Sequence, residues 1–258
     1  MLESLIKRDR VVVLGGLTLV IILAWAYILA GAGMEMGASM PALDGMKVMA
    51  PSASWTPGYA LLMFVMWWVM MVAMMLPSAA PMILLFATVN KGAAGTTPAG
   101  VPTFIFAAGY VLVWGFFSLV ATYVQWLLTS NMLLDGMMQS SSQILGATLL
   151  ISAGAYQFLP IKDACLRHCQ TPIQFVMGHW MPGRSGAMKM GLLHGLFCLG
   201  CCWFLMALLF FGGVMNAIWI AGLALYVLVE KLAPPELHIS KLAGGALVIW
   251  GVATIWAT

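Results

Sequence analysis

The sequence predicts an all-α membrane protein, a bundle of about seven transmembrane helices that forms one domain over residues 1–258. The chain is 63% hydrophobic and 7% charged, with a mean hydropathy of +1.00, whereas a soluble domain carries about 25% charged residues. Its apolar residues come in runs of about 20, which is the length that crosses a bilayer. The lipid bilayer is therefore the expected environment.

The predicted spans follow from the positions of these apolar runs. They are 11–32, 59–88, 103–129, 143–160, 187–211, 214–230 and 242–257. If the N-terminus is cytoplasmic, ten of the eleven Lys and Arg residues fall in cytoplasmic segments, and only Lys47 falls outside. Because basic residues concentrate on the cytoplasmic side of membrane proteins, we expect a cytoplasmic N-terminus and an external C-terminus.

Several classes of function lack their sequence features. The basic residues form no patch beside aromatic residues, which argues against nucleic-acid binding. The chain has no HExxH, Walker A, GxGxxG or GxSxG motif, so nothing in it indicates a zinc protease, a nucleotide hydrolase, a Rossmann enzyme or a serine hydrolase. The sequence thus favours a binding or transport role over an enzyme, and leaves other membrane subunits or a homo-oligomer as partners.

The segment Met190–Met206 combines hydrophobicity with metal-binding residue types. At about 100° per residue, one helical stripe carries Met190, His194, Cys198 and Cys201, with Cys202 at its edge. Thioether, imidazole and thiolate are ligands for Cu(I), zinc or iron. Cysteine also packs as a small hydrophobe, and glycines 191, 195 and 200 would let another helix approach. We favour a metal site because a histidine at membrane depth is costly without a partner.

A second group of candidate ligands follows the fourth predicted span. Cys165, His168 and Cys169 form a Cys-x2-His-Cys pattern, and His179 lies ten residues further on. Four such ligands would satisfy zinc, although paired Cys-x2-Cys motifs are the usual structural zinc pattern. The alternative is a short amphipathic helix on the cytoplasmic side.

Methionine is concentrated in the first outer loop and in the second span. The loop over about 33–58 contains Met34, Met36, Met40, Met46 and Met49, and the second span places Met63, Met66, Met70 and Met74 on one face. Met70 and Met74 are candidate Cu(I) ligands, since thioethers bind this ion. Methionine also fills irregular gaps and contacts aromatic rings, so packing alone would explain both clusters.

Glu230 and Lys231 close the sixth predicted span. We expect them to form an ion pair with each other at the membrane interface, where long charged side chains reach water easily.

Four segments of the chain resemble a known family. They are AMMLPSAAP at 73–81, YQFLPIKDACLRHCQTP at 156–172, GLLHGLFCLGCCWFLMALLFFGGVMN at 191–216 and EKL at 230–232. The chain is similar to a bacterial family of predicted metal-binding integral membrane proteins whose function is unknown. This resemblance implies a multi-pass protein of the bacterial inner membrane. It also implies metal ligands among His194, Cys198, Cys201, Cys202, Cys165 and Cys169.

Three hypotheses for function follow. The first is a membrane protein that binds, transports or delivers a soft metal such as Cu(I) through Met, Cys and His ligands. The second is an accessory subunit of a larger membrane enzyme, such as a copper-dependent monooxygenase. The third is a membrane redox enzyme that holds haem or iron on His194 and thiolates.

Overall fold

A computed structural model describes residues 2–32, 55–93, 100–135 and 138–256, and all the regular secondary structure in these ranges is helical. The helical bundle expected from the sequence is therefore confirmed. The helices are α1 (Leu2–Leu29), α2 (Pro57–Ala93), α3 (Gly100–Ser130), α4 (Gln143–Tyr156), α5 (Pro160–Gln170), α6 (Pro172–Gly178), α7 (Gly183–Ala207), α8 (Leu209–Gly212), α9 (Ala217–Leu232) and α10 (Ile239–Trp256), with a 3-10 turn at Pro235–Leu237. The methionines of the first outer loop, from Met34 to Met49, lie outside the described residues.

The number of helices that could cross a membrane differs from the predicted seven. Within the described ranges, five segments are long and apolar enough: Val11–Leu29, Pro57–Asn90, Gly100–Ser130, Gly183–Gly212 and Ile239–Trp256. A sixth would be α4 together with α5, which are bent by 67° at a short break. Helix α9 has 16 residues, fewer than the roughly 20 of a usual span. The exact count of seven is thus not confirmed.

The predicted span 143–160 is divided because Pro160 begins a new helix. Helix α4 ends at Tyr156, and α5 has a proline at its first position. Proline fixes the backbone angle of a first helical turn and needs no hydrogen bond there. This break directs α5 away from the α4 axis and against α7.

Glycines bring pairs of helices into backbone contact. A Cβ atom at Gly191 of α7 would overlap the carbonyl oxygen of Phe106 in α3, and one at Gly109 of α3 would lie 2.7 Å from the carbonyl oxygen of Met188. Helices α4 and α10 meet in the same way, since a Cβ at Gly154 would lie 2.7 Å from the carbonyl oxygen of Gly244. Small residues allow such close helix packing in membranes. The α3–α7 contact fixes the helix that carries most of the cysteines.

The expected ion pair between Glu230 and Lys231 is wrong. Glu230 instead pairs with Lys162 of α5, at 2.6 Å from Nζ to Oε1, and these two side chains are 1% and 0% exposed. Lys231, also buried, extends toward α2 and α7. Successive helical residues point about 100° apart, so neighbours in sequence do not face each other. Lys162 and Lys231, which the sequence assigned to the cytoplasmic surface, are both packed inside the bundle.

Candidate metal-binding site

Four thiols from two helices meet between α5 and α7. The Cys198, Cys201 and Cys202 side chains of α7 are fully buried, and the thiols of Cys201 and Cys202 each donate a hydrogen bond to the Cys198 carbonyl oxygen at 3.0 Å. From α5, the half-buried Cys169 lies close enough to Cys198 and Cys201 to interact electrostatically with both thiols. These four residues are called the thiol cluster below. The sequence left open whether Cys169 and the cysteines of α7 belong to one site or to two, and the structure brings them together.

A methionine that was not among the predicted ligands borders the thiol cluster. The Sδ atom of Met75 lies 3.9 Å from the Sγ atom of Cys202. Met70 and Met74, the predicted candidates, are buried in the same helix. Met75 follows Met74 directly and so points about 100° away from it. The segment AMMLPSAAP contains both Met74 and Met75, and whether Met70 and Met74 bind copper stays a prediction.

Polar groups from two other helices contact Cys198, and a residue of a third helix holds one of these groups. The Nζ atom of Lys231 lies 2.9 Å from the Cys198 Sγ atom and 3.0 Å from the Ser78 hydroxyl. The Tyr110 hydroxyl lies 3.0 Å from the same Sγ atom and donates to the Met75 carbonyl oxygen at 3.1 Å. Sequence reasoning missed Lys231 because it was assigned to the membrane surface. The one feature of the sequence that could have identified Lys231 is its position in the EKL segment, which is part of the family resemblance.

His194 lies one helical turn before Cys198 but packs among aromatic rings. Its ring stacks on Phe106 and Tyr110, with centroids 6.1 and 5.6 Å apart, and it makes an edge contact with Phe175 at 5.3 Å. Its buried Nδ1 atom has no hydrogen-bond partner among the described residues. An imidazole nitrogen in that state is a ready ligand if the site rearranges.

The remaining predicted ligands point elsewhere. The Met190 sulfur accepts a hydrogen bond from the Met181 backbone N–H at 3.4 Å. Cys165 faces α7 at Gly200, where an added Cβ atom would lie 2.7 Å from its Sγ atom. His168 stacks on Phe197, with centroids 4.0 Å apart. The Cys-x2-His-Cys pattern is therefore not assembled around one point.

The described part of the chain holds no group of three or more His, Cys, Asp or Glu side chains already placed to bind a metal ion. The thiols of Cys201 and Cys202 are instead hydrogen bonded to the Cys198 carbonyl oxygen. The donor set nevertheless suits a soft ion, because thiolates and a thioether select Cu(I) over hard divalent cations. The residues fit copper chemically and would have to reorient their thiols to bind it.

Comparison with known families connects the chain with copper. A family model described as PpoB2, copper chaperone, matches residues 64–254. The chain belongs to this copper chaperone family. The matched region contains the thiol cluster, Met75 and Lys231, and it begins after the outer methionine loop. No curated protein and no solved structure matches the chain.

Membership of the copper chaperone family refines the sequence-based hypotheses. It supports the expected association with copper and gives no support to zinc, haem or iron. The family match also agrees with the resemblance seen in the sequence, since both indicate a metal-binding protein. For a copper chaperone, copper is cargo, so a site must both bind the ion and release it.

Proposed function

We propose that this protein is an integral membrane copper chaperone that binds Cu(I) at the thiol cluster and delivers it to another protein. The observation that carries the proposal is the meeting of Cys169 with Cys198, Cys201 and Cys202, beside the Met75 thioether, in a member of the copper chaperone family. The thiolate is the form that binds metal. A buried cluster of soft ligands protects Cu(I) from water and oxidation.

The charge of Lys231 fits a monovalent ion bound by thiolates. Cu(I) with a pair of thiolates carries one negative charge, and the Lys231 ammonium beside Cys198 would neutralise it. Burying an uncompensated charge costs several kcal/mol, by an order-of-magnitude estimate for one ion. A divalent ion on the same thiolates would be neutral, and Lys231 would then be the uncompensated charge. The site is therefore suited to Cu(I).

The buried methionines of α2 provide a route between the outer end of the bundle and the cluster. Met63, Met66, Met70 and Met74 are all buried and precede Met75 along the helix. At the far end, the Gln125 amide donates to the sulfur atoms of Met63 and Met138, at 3.4 and 3.1 Å. We propose that this ladder carries Cu(I) between the cluster and the outer end of the bundle.

The setting of this activity is a bacterial inner membrane, with the N-terminus cytoplasmic and the C-terminus outside. Long apolar helices and the distribution of basic residues support this placement. Delivery requires an acceptor. The acceptor class we propose is a copper-dependent membrane enzyme, such as a monooxygenase, to which this protein would be a chaperone or an accessory subunit.

Copper content after reconstitution tests the proposal. The full-length protein, purified in detergent under reducing and anaerobic conditions, is loaded with Cu(I), desalted, and measured by elemental analysis. Near-stoichiometric copper is expected in the wild type and its loss in Cys198→Ser/Cys201→Ser. Cys165→Ser is the matched control, because it removes a thiol from the same helix interface outside the cluster. Full copper retention by a folded double variant would contradict the proposal.

A further inference from the structure

We propose that His168 and His179 form a second metal site, which binds Cu(I) between two imidazoles at the surface of the bundle and exchanges it with the thiol cluster. His168 lies in α5, and His179 is the residue that caps the end of α6. Both side chains are half-buried. This inference rests on the proposed function, because it adds a second binding site to the same pathway of copper transfer.

In both histidines, a hydrogen bond to the backbone engages Nδ1 and leaves Nε2 to bind a metal ion. The Nδ1 atom of His168 lies 2.9 Å from the Ala164 carbonyl oxygen, and that of His179 lies 3.1 Å from the Phe175 carbonyl oxygen. A carbonyl oxygen only accepts, so each Nδ1 donates its proton. Each neutral ring then carries its lone pair on Nε2. Hydrogen bonds of this kind orient metal-binding histidines in proteins.

The separation of the two rings matches an ion held between them. Their centroids are 6.1 Å apart with an angle of 61° between the ring planes. A metal bound at about 2.0–2.1 Å by an imidazole nitrogen on each side places the ring centroids roughly 6 Å apart. Cu(I) accepts such low coordination, and imidazole is among its ligands. To hold the ion, the two Nε2 atoms would have to face each other across this gap.

Aromatic packing connects the histidine pair to the thiol cluster. Phe175 stacks on His179 at 5.0 Å and touches His194 edge-on at 5.3 Å. His168 stacks on Phe197, and His194 lies one turn before Cys198 on the same helix. A single phenylalanine ring therefore separates the surface pair from the unpartnered Nδ1 of His194. An ion leaving the histidines has the buried imidazole as its next ligand and the thiolates after it.

The ligand types favour movement in that direction. Thiolates are softer ligands than imidazoles and hold Cu(I) more tightly. A histidine pair would capture the ion reversibly, while the cluster would retain it.

The test isolates the histidine site by removing the thiol site. The full-length Cys198→Ser/Cys201→Ser variant in detergent is given Cu(I) alone, and X-ray absorption at the copper edge identifies the ligands. We expect weak binding with nitrogen ligands, which is lost when His168→Gln or His179→Gln is added. His238→Gln is the matched control, because His238 has the same Nδ1 contact, to the Glu236 carbonyl oxygen at 2.7 Å, without belonging to the pair.

Loading kinetics provide a second measurement with the thiols intact. We expect His168→Gln to slow the loading of the thiol cluster severalfold and to leave its final copper content unchanged. Unaltered loading, or no histidine-dependent nitrogen signal in the cysteine variant, would overturn the histidine site. A wild-type protein without thiolate-bound copper would instead overturn the proposed function, whatever the nitrogen signal shows.

Discussion

The ammonium nitrogen of Lys231 lies 2.9 Å from the sulfur of Cys198, inside the bundle and away from any carboxylate of its own helix turn. Glu230, its neighbour in sequence, is engaged by Lys162. Lys231 is therefore the positive charge that faces the thiol cluster. A hydrogen bond between a charged donor and its acceptor contributes about 1.5–3 kcal/mol.

Lys231→Met is predicted to weaken Cu(I) binding roughly ten- to hundredfold, which corresponds to the loss of a charged hydrogen bond. Binding of Zn(II) is expected to weaken less or to strengthen, because the divalent ion no longer meets a fixed positive charge. Competition against a Cu(I) chelator and a Zn(II) chelator measures both affinities. Lys231→Arg keeps the charge, and Ser78→Ala removes only the other partner of Lys231. Equal losses for both metals would contradict charge selection.

Cys169→Ser is predicted to lower copper retention strongly, while Cys165→Ser leaves it near the wild-type value. Both residues lie on α5 about one turn apart, but Cys169 interacts with both Cys198 and Cys201, whereas Cys165 interacts with Cys201. Cys165 packs on Gly200. Copper per protein after desalting, with thiol counting on the same samples, separates the two. Equal losses in both variants would show that the cluster extends to Cys165.

The elements that the sequence predicted well are those whose pattern is local. Long apolar runs specified α2, α3 and α7, and the helical period placed Cys198, Cys201 and Cys202 on a buried side of α7. Hydropathy and a fixed rotation per residue are properties of one segment. They need no knowledge of which helix lies beside it.

The residues that the sequence missed depend on contacts between segments far apart in the chain. Lys231 reaches Cys198 and Ser78 across 33 and 153 positions, and Met75 meets Cys202 across 127. A charged residue at the end of a span is ordinarily a surface residue, so pattern alone assigned Lys231 to the interface. The break before Pro160, which turns α5 onto α7, is what brings Cys169 to the cluster.

Met75→Leu is predicted to shorten the time for which the cluster retains Cu(I), with little change in stability. Leucine replaces methionine at similar volume, at a cost typically below about 1.5 kcal/mol, but it offers no sulfur to the ion. Met82→Leu is the control, since Met82 is buried two turns further along the same face of α2. The measurement is the rate of copper transfer to a chelator. Matching rates for the two variants would exclude Met75 from the site.

Glu230→Gln is predicted to destabilise the bundle, because it leaves the buried Lys162 ammonium without its counter-charge. The Glu230 Oε1 atom accepts from Lys162, and also from the hydroxyls of Tyr226 and Ser240 at 2.9 and 2.8 Å. Removing one partner of a buried ion pair costs about 3–5 kcal/mol. The unfolding midpoint in detergent should therefore fall well below that of Glu236→Gln, which changes an exposed carboxylate on the next turn.

The double variant Lys162→Met/Glu230→Leu tests the cause of the instability of Glu230→Gln. It shows whether this instability comes from losing the ion pair or from leaving the Lys162 charge buried without a partner. Replacing a buried ion pair with apolar side chains of similar volume is often neutral or stabilising. We therefore expect the double variant to unfold at a higher temperature than Glu230→Gln. If it is at least as unstable as Glu230→Gln, the hydrogen bonds that the pair accepts from Tyr226 and Ser240 and donates to Gln157 hold α5, α9 and α10 together. In that case the network, rather than compensation of the Lys162 charge, stabilises the end of the bundle beside the thiol cluster.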